Sequence, residues 1–63
     1  MNHLTEQDIR ERIEYLVKDV KNTDATNAQL MTMVYIQLAY TFGDINSQTK
    51  NAMLNEYLSM LRN

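Results

Sequence analysis

The chain has 63 residues, no cysteine, a formal net charge of −2 and a pI of about 5.1. A domain this small buries only about 60% of the surface its unfolded chain exposes. Without thiols for disulfides or soft metal sites, association with a partner is the open route to extra stability. Mild acidity offers no field for a phosphate backbone, which disfavours nucleic acid as a partner.

Proline is absent and the single glycine, Gly43, falls between two periodic segments, so the chain predicts an all-α fold of three helices at about 5–22, 26–42 and 46–62. These make a single small domain over 1–63: a three-helix bundle, or a helical hairpin plus a helix, completed by homodimerisation. With connections of a few residues, neighbouring helices should pack antiparallel.

The first helix opens on a full start signal. Thr5 is placed to cap, Asp8 to reach back three residues, and Leu4 to staple against Ile9. Ile9, Ile13, Leu16, Val17 and Val20 form one apolar stripe, while Glu6, Arg10, Glu14 and Lys18 alternate in sign at i, i+4 on the solvated side. Lys18 and Lys21 suit the C-terminal end of the helix dipole. Tyr15 stands well away from the stripe and reads as a lone exposed aromatic or as part of a contact patch.

Either Asp24 or Thr26 is placed to cap the second helix, Thr26 with Gln29 as the amide form of a capping box. From Ala25 to Gly43 there is no charged residue, although 22% of the chain is Asp, Glu, Lys or Arg. Met31, Val34, Tyr35, Leu38, Ala39 and Phe42 make one apolar face, with Met33, Ile36 and Tyr40 nearly opposite. Polar seams lie between them at Thr32 and at Gln37 and Thr41. This pattern predicts a helix buried on two sides, where a charge would need costly desolvation. Its length approaches the roughly 20 residues of a membrane span, but Asn27, Gln29, Thr32, Gln37 and Thr41 interrupt it and Asp24 and Asp44 bracket it, so no span is expected.

Gly43 is placed to end the second helix in a left-handed conformation, and Asn46 or Ser47 to cap the third. There Leu54, Tyr57, Leu58 and Leu61 form the stripe, and Met53 and Met60 widen one flank.

Chemistry-bearing groups are sparse. His3, the one histidine, has no nucleophile or ligand companions. Glu6, Asp8, Glu11, Glu14 and Asp19 are interleaved with Arg10, Arg12, Lys18 and Lys21, the mark of a solvated surface, and one glycine cannot build a phosphate loop. No catalytic, cofactor-binding or metal residues are expected, and no small-molecule substrate. The start MNHLTEQDIRER has no apolar run with a cleavage site, so the expected location is the cytoplasm.

Methionine and aromatic side chains suit adaptable binding surfaces. The residues expected to make protein-binding or dimer contacts are Met33, Ile36, Tyr40, Met53, Tyr57 and Met60. The resulting expectation is a small non-enzymatic regulator, inhibitor or adaptor, homodimeric and acting on a second, unidentified protein, in the general character of accessory proteins of bacteria and their viruses.

A second reading starts from LAYTFGDINSQTKNAMLNEYL, Leu38 to Leu58, which resembles a DNA-binding helix-turn-helix with Gly43 at the turn. That resemblance implies Asn46, Ser47, Gln48, Lys50 and Asn51 as base or phosphate contacts. The segment departs from the motif at Asp44, where an apolar residue is usual, and Lys50 and Arg62 are the only cations after Lys21.

Overall fold

Thr5 opens the first helix through a reciprocal pair of bonds: its Oγ1 accepts from the Asp8 backbone N–H at 3.1 Å, and Asp8 Oδ2 accepts from the Thr5 N–H at 3.1 Å. This capping box satisfies two donors that have no partner within the helix. The fold that follows comes from a computed structural model that describes residues 4–62; the histidine weighed above, His3, lies outside the described residues. Among these, all regular structure is helical.

The first helix, α1, is one continuous rod in three stretches: α-helical over Glu6–Tyr15, π-helical over Leu16–Val20, and α-helical again over Lys21–Thr23. In the π-turn the Lys21 N–H reaches back five residues to the Leu16 carbonyl. Nothing in the sequence pattern announces this turn, since neither proline nor glycine is near. Ile9, Ile13, Leu16 and Val17 are buried, as their spacing predicts, with Leu4 and Val20 packed against the same core.

Asp24 alone separates the first two helices. Its extended backbone, φ −152° and ψ 91°, ends α1, and its carboxylate caps the next helix by accepting from the Asn27 N–H at 3.0 Å. Of the two candidate caps, Asp24 therefore serves, and Thr26 lies inside the helix. The second helix, α2, spans Ala25–Thr41.

It ends in a two-bond motif. The Gly43 N–H donates to the Tyr40 carbonyl at 3.0 Å and the Asp44 N–H to the Ala39 carbonyl at 2.9 Å, with Gly43 at φ +83°. This is the Schellman arrangement, which needs a left-handed residue at that point. Ile45 then enters the core, and the Asn46 carboxamide caps the third helix, α3 (Ser47–Arg62), by accepting from the Thr49 N–H at 2.8 Å.

The interior is built from Ile9, Ile13, Leu16 and Val17 of α1, Ala28, Thr32, Ile36 and Ala39 of α2, and Met53, Tyr57 and Leu61 of α3. In α3 the buried row is Met53–Tyr57–Leu61, with Leu54 and Leu58 half-buried beside it. Met53 is thus central, whereas the sequence pattern put it on the flank. Two polar clasps tie α1 to α3. Arg10 bridges Glu56 at 2.8 Å and donates to the Tyr57 hydroxyl at 3.2 Å. Lys21 Nζ donates to the Met60 carbonyl at 2.7 Å, one of the four at the helix end without an intrahelical partner.

Candidate functional site

The surface that stands out belongs to α2, and it comes from how that helix is rotated. Its buried residues Ala28, Thr32, Ile36 and Ala39 follow at i, i+4, i+8, i+11 and define one stripe. That stripe is centred on Thr32, a residue the sequence pattern assigned to a polar seam. The expected division of the helix into two apolar faces is corrected here: within the chain, only Ala39 of one face is buried, with Tyr35 half-buried, and only Ile36 of the other.

The reason is volume. The walls supplied by α1 and α3 already carry large side chains, and a close-packed interior accepts small partners opposite them. Ala28 and Ala39 let α2 approach; turning Leu30, Val34 and Leu38 inward would overfill the same space.

The large side chains of α2 therefore face outward. Leu30, Met31, Val34, Leu38 and Phe42 retain 56, 43, 56, 44 and 65% exposure. On a helix advancing 100° per residue they span about 120° of arc, and Leu30, Met31, Val34, Tyr35 and Leu38 line a shallow groove along it. Leu30 belongs to no expected contact set, although Leu30, Val34 and Leu38 repeat at i, i+4, i+8; that spacing was the signal that could have found the stripe.

Of the six expected contact residues, Met33, Tyr40 and Met60 are exposed, at 40, 38 and 43%, while Ile36, Met53 and Tyr57 are taken up by the chain's own core. Tyr40 carries Lys50 on its ring, Nζ lying 4.3 Å from the centroid, an attraction of roughly 0.5–1 kcal/mol at an exposed site. The Tyr35 hydroxyl accepts from Arg12 at 3.4 Å. Tyr15 is exposed on α1.

The residues implied by the helix-turn-helix resemblance all lie at the start of α3. Ser47, Gln48 and Asn51 are exposed. The Asn46 carboxamide is occupied as the helix cap, and Lys50 is held over Tyr40.

Charge is concentrated on α1. Hydrogen bonds that Arg10 donates to Glu56, then to Glu6 and Tyr57, raise its pKa above the ordinary value. The Thr5 backbone bond, followed by the Thr5 hydroxyl, holds the Asp8 carboxyl below the usual aspartate value, helped by Arg12. Among the described residues no three His, Asp or Glu side chains converge as metal ligands would, and no helix is long and apolar enough to cross a membrane. No protein-family model matches this chain, and neither the curated proteins nor the solved structures yield a significant match.

Proposed function

We propose that this chain is a small non-enzymatic regulator or adaptor that works in the cytoplasm as a homodimer and binds a second protein through an apolar helical surface. The observation that carries the reading is the row Leu30, Met31, Val34, Leu38 and Phe42 standing in solvent on one rigid helix whose opposite side is already packed. Contiguous apolar patches of this kind mark interaction sites on soluble proteins. Met33 and Tyr40, on the other shoulder of α2, add a flexible thioether and an amphipathic ring of the type enriched in binding surfaces. The mechanism is steric: the shoulder that carries Met33 and Tyr40 covers a surface that the target needs for another contact.

The helix-turn-helix reading finds less support, because two of its five contact residues are engaged in holding the turn. Photo-crosslinking in the native cell separates the two. A crosslinking residue at Met33 or Tyr40 is expected to capture a foreign protein, and one at Gln48 neither protein nor DNA. Duplex DNA captured from Gln48, with nothing captured from Met33 or Tyr40, would reverse the ranking.

A further inference from the structure

Within the exposed stripe of α2, the row Leu30–Val34–Leu38 is symmetric about Val34. Counting outward from Val34, Leu30 stands four residues before it and Leu38 four after; Asn27 and Thr41 stand seven before and seven after. All five lie on the outward side of the helix, and all but Asn27 and Thr41 are apolar. A two-fold axis through Val34, perpendicular to the helix, would set residue 34+n of one copy against 34−n of the other. Val34 then meets Val34, Leu30 meets Leu38 twice, and Asn27 meets Thr41 twice, a carboxamide beside a hydroxyl. This is the self-complementarity that an isologous interface requires.

Resting on the homodimer reading above, we infer that two copies of this chain pair through antiparallel α2 helices about Val34, with the Leu30–Val34–Leu38 stripe as the contact. Three further observations fit this occupant. The contact stripe itself holds no charge: the pairing sets Asp24 of one copy toward Asp44 of the other, but both stand ten residues from Val34, about 15 Å along the axis and beyond the stripe. Antiparallel helices also set their dipoles head to tail. Finally, a contact centred on three side chains of one helix is small, so the pair belongs with the reversible interfaces, below about 1,200 Å² in total. The arrangement leaves Met33 and Tyr40, on the far shoulder of α2, available to the second protein while the dimer is intact.

The chain's lack of cysteine makes the geometry directly testable. Sedimentation equilibrium of the full chain, extended into the high micromolar range, is expected to show a reversible dimer. Leu38→Glu should raise its dissociation constant on the order of 100-fold or more, because the charge would be buried unpaired, with helical circular dichroism retained. With a short bis-maleimide, Val34→Cys should cross-link to itself; Leu30→Cys and Leu38→Cys should cross-link when mixed but poorly when alone. The cysteine variants keep the test decisive if Leu38→Glu fails to fold. A wild-type dimer in which Val34→Cys does not cross-link, or Leu30→Cys cross-links readily to itself, would overturn this pairing and leave the homodimer reading intact. A wild type that stays monomeric throughout would overturn both.

Discussion

Helices α1 and α2 place their side chains by opposite rules. In α1 the apolar residues Ile9, Ile13, Leu16 and Val17 are buried and the charged residues point outward, so hydropathy alone orients it. In α2 the buried row is two alanines, a threonine and one isoleucine, while Leu30, Met31, Met33, Val34, Leu38 and Tyr40, with Phe42 at the cap, remain exposed. Hydropathy orients a helix only when its faces differ in polarity. When every face is uncharged, side-chain volume decides which one fits against the neighbours, and the leftover apolar surface becomes available for contact with other molecules.

The sharpest way to break this comparison is to truncate one residue from each side of α2. Ile36→Ala removes a fully buried side chain and is expected to cost about 2–5 kcal/mol. A domain of this length holds only roughly 3–9 kcal/mol in total, so this variant should be largely unfolded at room temperature or close to it. Val34→Ala, only two positions away, is expected to cost less than about 0.5 kcal/mol in the monomer. Its cost should grow with protein concentration as the paired state becomes populated. Urea unfolding at two protein concentrations reads both effects. Equal costs for the two variants at low concentration would mean that α2 is buried on both sides after all.

How much of this was legible beforehand follows from the same distinction. The helix signals are local: Thr5 with Asp8, Asp24, Gly43 and Asn46 each act within a few residues of themselves, and each is found capping or ending a helix. The stripe of α1 was legible because charges mark its reverse side. The rotation of α2 was not, because it depends on how much room α1 and α3 leave opposite Ala28 and Ala39, a property of three segments together. The π-turn at Leu16–Val20 was also hidden, because neither proline nor glycine lies near it to mark the change from a four- to a five-residue reach. On α2, Met33 and Tyr40 are exposed as well, whereas the spacing of Leu30, Val34 and Leu38 at i, i+4, i+8 aligns these three on one face without saying whether that face turns inward or outward.

A smaller effect sharpens the contrast from the buried side. Thr32 is fully buried and its Oγ1 has no hydrogen-bond partner in the protein, an arrangement that costs stability because the hydroxyl has given up water without replacement. Valine has nearly the same shape and no such group. Thr32→Val is therefore expected to stabilise the chain by about 1 kcal/mol, read as a higher urea midpoint with unchanged slope. A destabilised variant would show that the hydroxyl is satisfied in solution, and that α2 is placed by that bond as well as by volume.

The smallest effect concerns where the two helices feel acid. Asp8 has its pKa lowered in the folded chain by its bonds to Thr5. Its contribution to stability is accordingly present above the unfolded value, about 3.9 for aspartate, and is lost as pH falls through the lower folded value. Asp8→Asn keeps an acceptor for the Thr5 N–H but removes the titration. The stability gap between wild type and Asp8→Asn should therefore be flat above about pH 5 and narrow below about pH 4, as followed by urea unfolding across that range. Because α2 carries no charge between Asp24 and Asp44, Thr32→Val should shift the whole curve by a constant amount and leave its acid limb unchanged. An acid limb that survives in Asp8→Asn but moves in Thr32→Val would place the titrating contact at α2, and the division between a helix oriented by charge and one oriented by volume would fail.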